Sequence, residues 1–196
     1  MEQADSNIKE TVLLFLYIMN QEEISVNTLN RYLYLYYISE NFLFSNNTRI
    51  DVFYKNYNIS ISGVRESLNQ IQLSGLVTLS SNKIKIKDDL NLFVESFLEN
   101  KEGYFHFQYR KLLPFVSLLN SYDDEFIFTI FFSEPELTKT EQSNRENIII
   151  KSNELEKLLT QFKKQIKTKD IEEIDILGHW MNFVIAQKVA VKNEKE

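Results

Sequence analysis

The stretch Ile59-Ser-Ile-Ser-Gly-Val-Arg-Glu-Ser-Leu-Asn-Gln-Ile-Gln-Leu-Ser-Gly-Leu-Val-Thr-Leu79 runs on through Ser80-Ser-Asn82 to Lys83-Ile-Lys-Ile-Lys87. Ser60 or Ser62 is placed to cap a helix over about 62–74. Val64, Leu68 and Ile71 recur at helical spacing along its inner face, with Leu73 expected to help close the end. Gly75 falls where a left-handed residue ends a helix. Leu76–Leu79 then alternates as a strand, 80–82 turns, and 83–87 returns with strict period two. A helix, a glycine stop and a small hairpin form the second half of a winged helix-turn-helix.

The residues before this stretch supply the first half. Ile8, Val12, Phe15, Leu16 and Met19 mark an amphipathic helix over 8–20, broken at 21–24. Ser25 or Asn27 can cap a second helix over about 26–44. That helix carries Tyr32-Leu-Tyr-Leu-Tyr-Tyr-Ile38, apolar or aromatic all the way round, and so requires cover on more than one side. Ser45-Asn-Asn-Thr48 and Asn56-Tyr-Asn58 read as an irregular connection around a short element at 50–54. A further helix is expected over 88–100.

Beyond Gly103 the pattern changes. Residues 105–120 suggest a helix bent at Pro114, and Asp123 or Asp124 can cap the run 125–132. Phe126-Ile-Phe-Thr-Ile-Phe-Phe132 fits a short helix or a buried strand equally well by periodicity. The polar segment 133–147 reads as a loop, followed by helices over about 148–167 and 169–192, with the last residues fraying. The expected fold class is mostly α with a small β-hairpin wing. Residues 1–100 are expected to form a winged-helix domain. Residues 101–196 are expected to form a mainly helical C-terminal region, a degenerate second winged helix or an interaction domain.

Composition narrows the function. With 43% hydrophobic and 13% aromatic residues the 196-residue chain can bury a real core. The absence of cysteine excludes disulfides, thiolate zinc sites and cysteine nucleophiles. An acidic, polar start and apolar runs far below the ~20 residues of a membrane span point to a cytoplasmic protein with no membrane contact. Net charge is −6, with 8 Lys+Arg against 12 Asp+Glu over residues 1–100 and 14 against 16 over residues 101–196. Neither half is basic, whereas nucleic-acid affinity comes largely from phosphate contacts. Any such contact must come from a local patch.

Catalytic signatures are lacking. Gly63, Gly75, Gly103 and Gly178 are too far apart to cradle a phosphate, and no Gly-x-Ser-x-Gly turn occurs. Asp175 and His179 share a helical face near Glu172 but fall short of three converging metal ligands. They read more simply as polar residues beside Trp180. His106, between two phenylalanines, reads as a satisfied histidine near a core. No cofactor, metal or catalytic residue is expected, so the chain is read as a non-enzyme.

Two binding surfaces are expected instead. Lys83, Lys85 and Lys87 project from one side of a strand toward phosphates, unless they are a solvated edge guarded by lysine. Arg65, with Asn69, Gln70 and Gln72, lies on the helix that would enter a groove, beside Glu66. Tyr32, Tyr34, Tyr36 and Tyr37, together with Trp180 and Phe183 off the stripe Ile174, Leu177, Met181 and Val184, suggest a partner interface. Packing inside the chain accounts for them equally well.

The layout over residues 8–100 resembles the middle component of bacterial three-component ABC/SMC systems, of which Lamassu-type anti-phage defence is the best known. The features concerned are Asn20-Gln-Glu-Glu-Ile-Ser-Val-Asn-Thr-Leu-Asn-Arg-Tyr-Leu33, Ile61-Ser-Gly-Val-Arg-Glu-Ser-Leu68, Gly75-Leu-Val77 with the lysine wing, and the tail near Arg110-Lys-Leu-Leu-Pro114. This resemblance implies a non-catalytic winged-helix subunit beside an SMC-like ATPase and an effector, often a nuclease. Its implied task is to bridge the two and hold the effector inactive until foreign DNA is sensed. The alternative is a free-standing winged-helix transcriptional regulator, dimeric through its C-terminal helices, which should be basic over 62–87 and bind a duplex alone.

Overall fold

A computed structural model describes residues 2–45, 50–55, 58–142, 147–150, 154–166 and 171–193. The chain is mostly helical with small antiparallel sheets. It divides into two compact units, 1–33 with 55–120, and 34–54 with 121–196. The units are therefore discontinuous, and the first extends beyond the boundary expected at residue 100.

The first unit is organised on α1 (Glu2–Met19). Val12, Leu13, Leu14, Phe15 and Leu16 are all buried, more than one amphipathic face allows. The cover comes from α3 (Val64–Leu73), α4 (Asp88–Leu98) and α5 (Tyr104–Asn120), which all pack on α1. Phe15 meets Phe115 edge to face at 6.2 Å. After α1 the chain forms β1 (Glu23–Ser25) and enters α2 (Val26–Phe44), with Ser25 Oγ accepting from the Thr28 N–H at 2.9 Å as an N-cap. Asn30 is buried, donating to the Val26 carbonyl and accepting the Ile61 N–H at 3.0 Å, so both ends of its amide are satisfied.

Two glycines govern α3. Its N-cap is Gly63, at φ 83°, and neither Ser60 nor Ser62 serves. At the other end Gly75 has φ 79°; its N–H reaches the Gln72 carbonyl and the Leu76 N–H reaches Ile71. That pair of bonds is a Schellman closure, which leaves Leu76 buried beneath the end of the helix. Leu73, expected to help close the end, is 88% exposed.

Beyond Gly75, β4 (Val77–Ser80) and β5 (Lys83–Ile86) form a tight hairpin, with Ser81 at φ 51°. Pairing of β5 with β1 completes a three-stranded antiparallel sheet of order β1-β5-β4. The short strand after α2, Ile50–Lys55, is here β2, and Asn58–Ile61 is β3, which abuts α3. The turn residues expected at 46–48 and 56–57 lie outside the described residues, as do the fraying residues 194–196.

In the second unit α2 contributes its Tyr34–Phe44 half. The run at 126–132 is helical: α6 (Asp124–Phe132) packs on α9 (Glu173–Asn193), and α9 also packs on α8 (Glu154–Gln165). The segment expected to be a loop contains α7 (Pro135–Gln142). Proline at the first helical position forfeits no hydrogen bond, which is why it starts a helix here. Residues 147–150 are a strand, β6, rather than the start of a helix, because β2 offers an antiparallel partner with Ile50 opposite Ile150.

Candidate functional site

The three-stranded sheet presents two unlike faces. Ile24, Ile84 and Leu79 lie side by side across it, next to Val77 and Ile86, and this face is directed at the core. The opposite face carries Glu23, Lys85 and Thr78 in one row and Ser25, Lys83 and Ser80 in the next. Period-two alternation on β5 therefore sends Lys83 and Lys85 to solvent together. Because β5 is the central strand, these lysines guard no open edge, which removes the edge-protection reading.

The charge on this face is mixed. Lys83 Nζ lies 2.6 Å from Glu23 Oε1, in a pair that is 64% and 46% exposed. Lys87 immediately precedes α4, whose first turn holds Asp88 and Asp89. Exposed Glu22 precedes β1 and exposed Glu23 opens it. The three lysines thus share this region with four carboxylates, Glu22 and Glu23 around the start of β1 and Asp88 and Asp89 after Lys87. Arg65 is exposed on α3, a separate element, with Glu66 next to it and Asn69, Gln70 and Gln72 also exposed.

The expected aromatic interface is largely core. Tyr32, Tyr34, Tyr36, Tyr37 and Trp180 are buried within the chain. Tyr34 stacks edge to face on Phe131 at 5.5 Å and donates its hydroxyl to Glu134 Oε2 at 2.6 Å. Tyr36 contacts the rings of both Tyr37 and Phe44. Leu29, Tyr32 and Leu33 are buried in the first unit, and Tyr34, Leu35, Tyr36, Tyr37 and Ile38 in the second. Of the six, only Phe183 remains open, half exposed with its ring 6.0 Å from Phe162. Trp180 joins Ile176, Leu177 and Met181 on the buried side of α9.

Glu134 is a fully buried carboxylate. Its Oε1 accepts the Glu136 N–H at 3.0 Å and its Oε2 the Leu137 N–H at 2.9 Å, capping α7. Burial pushes its pKa above the usual carboxylate range, although the bonds from Glu136, Tyr34 and Leu137 pull the other way. Burial, reinforced by the Glu134 charge, likewise raises the Tyr34 hydroxyl. These bonds tie α2 to the start of α7 within the second unit.

Asp175 and His179 are both exposed on α9, and among the described residues no group of three or more His, Cys, Asp or Glu is placed to hold a metal. His106 Nδ1 lies 3.2 Å from the Leu98 carbonyl, holding α5 against the end of α4. A cavity of about 130 Å³ lies between Leu16, Asn20, Glu22, Ile86, Lys87 and Asn91, against the roughly 300–1,000 Å³ of ligand pockets.

Sequence reasoning missed an exposed aromatic face on α4. Leu92, Phe93 and Phe97 are 66%, 38% and 48% exposed while Leu90 and Val94 are buried. The signal was present: over 88–100, six apolar residues exceed what one helical face can hide. No helix among the described residues is long and apolar enough to cross a membrane. In comparisons with known proteins, no family model, no curated protein and no solved structure matches the chain.

Proposed function

We propose that the first unit is a winged helix-turn-helix and that the chain is a non-catalytic assembly subunit, working beside an SMC-type ATPase and an effector in cytoplasmic anti-phage or anti-plasmid defence. The observation that carries the winged-helix reading is the sheet order β1-β5-β4, reached through the succession α1, β1, α2, α3, β4, β5 with α1 against α3. In such a module α2 and α3 are the helix-turn-helix pair and Ser81-Asn82 is the tip of the wing. The strands β2 and β3 would be an insertion between the two helices.

Charge favours assembly over autonomous DNA reading. A duplex-binding wing needs net positive charge where it meets phosphates. Here Glu23 offsets Lys83, and Asp88 and Asp89 follow Lys87. Net charge of the whole chain is −6. DNA contact through Lys83, Lys85 and Arg65 is then an auxiliary role, exercised within a complex that supplies further cations.

The test is co-purification of the tagged full-length chain with the products of neighbouring genes, identified by mass spectrometry. Recovery of an SMC-like ATPase and a second protein in fixed ratio supports the bridging role. A homodimer recovered alone, binding duplex DNA and losing that binding on Lys83→Glu/Lys85→Glu/Lys87→Glu, overturns it in favour of a transcriptional regulator.

A further inference from the structure

Residues 103–122 contain no Asp or Glu, in a chain of net charge −6, and carry Arg110 and Lys111. Most of this segment is α5, which buries Leu112, Val116 and Leu119 and packs on α1. At 100° per residue, Tyr104, Phe107, Arg110, Lys111, Pro114 and Leu118 fall in an arc of about 120° on the side away from those three leucine and valine positions. Tyr104 and Phe107 are 55% and 54% exposed, and Arg110 and Pro114 are exposed as well. Lys111 Nζ lies 4.7 Å over the ring of Phe107, so positive charge sits within the aromatic row itself.

Spacing and charge together select the occupant. Tyr104, Phe107, Lys111, Pro114 and Leu118 are alternately three and four residues apart, the repeat by which one helix packs along another. At 1.5 Å per residue this row is about 21 Å long. A second copy laid antiparallel on it would set Arg110 and Lys111 against their own counterparts. An anionic bilayer, far wider than one helix, would also meet the rest of a chain with 28 carboxylates against 22 cations. A nucleic-acid strand would stack bases on open ring faces, and Lys111 already covers one face of Phe107. We propose that the α5 face docks an acidic amphipathic helix of a partner protein. The apolar row of that helix lies along Tyr104, Phe107 and Leu118, and its carboxylates lie beside Arg110 and Lys111. Such docking deepens the assembly-subunit reading, on which it rests only in taking the occupant to be another protein.

Three labelled probes are titrated against the full-length chain by fluorescence anisotropy: an amphipathic peptide of leucine and glutamate at helical spacing, its counterpart with lysine in place of glutamate, and an oligothymidylate. The glutamate peptide should bind at least about tenfold more tightly than either of the others, with affinity falling as salt rises. Phe107→Ser and Arg110→Glu should each weaken it roughly tenfold, while Leu73→Ser, an exposed apolar change on α3, leaves it unaltered. Because Arg110→Glu alters only an exposed side chain, it keeps the test decisive if the serine variant melts early. Equal affinity for the two peptides, or binding indifferent to both α5 variants, overturns the proposal. So does an oligothymidylate that binds more tightly than the glutamate peptide and is lost in Arg110→Glu, which would assign the face to nucleic acid. A wild-type dimer in sedimentation that Phe107→Ser dissolves overturns it too. Peptide binding without co-purification of an ATPase would sink only the SMC reading. Co-purification that survives both α5 variants would sink only the α5 face.

Discussion

Gly75 and Glu134 show how single residues set this structure. At φ 79° Gly75 occupies the left-handed region, yet a Cβ built there meets nothing within 4 Å. Gly75→Ala should therefore cost only the conformational strain, about 1–2 kcal/mol by chemical denaturation, with the fold retained. Glu134 is constrained by its bonds instead. Both oxygens accept, so Glu134→Gln turns an amide N–H toward a donor and should cost roughly 1–3 kcal/mol. The sign of the pH effect follows from its raised pKa. The folded chain holds this proton more tightly than the unfolded chain, so the contribution of Glu134 to stability is fully present below the ordinary carboxylate pKa and is lost as pH rises through the raised value. Urea denaturation across that interval should show this decline in the wild type and not in Glu134→Gln.

Among the elements, β5 and α2 carry the argument. Placement of β5 between β1 and β4 makes its lysines a face rather than an edge, and the Glu23 pair on that face is solvent-exposed. Such pairs contribute little, so Glu23→Ala should shift stability by less than about 1 kcal/mol. The same change should strengthen any binding of the full chain to duplex DNA at low salt, because it frees Lys83; unchanged binding would argue that the sheet face does not touch phosphate. In α2 the aromatic residues are buried, Tyr32 in the part that belongs to the first unit and Tyr34, Tyr36 and Tyr37 in the part that belongs to the second. Tyr34 also provides the hydroxyl that meets Glu134.

At the scale of the molecule, the compact units interleave along the chain: the path enters the second at Tyr34, returns to the first at Lys55 and leaves it after Asn120. A fragment ending at residue 100, the boundary drawn from sequence, would lose Leu112, Phe115, Val116 and Leu119 of α5, all buried in the first unit, while α5 packs on α1. It should lack a cooperative thermal transition by circular dichroism, whereas the full chain should show one. Local chemistry alone determined the glycine-closed end of α3, the Ser25 cap, the 26–44 helix and the two-faced hairpin, since each depends on neighbours a few residues away. Tertiary structure alone decided that 126–132 is helical, that 147–150 pairs with β2, that the α2 tyrosines are core and that the α4 phenylalanines are not. The reason is physical: an apolar residue in sequence asks only to leave water, and which surface covers it depends on elements as much as a hundred residues away, as with Tyr34 and Glu134.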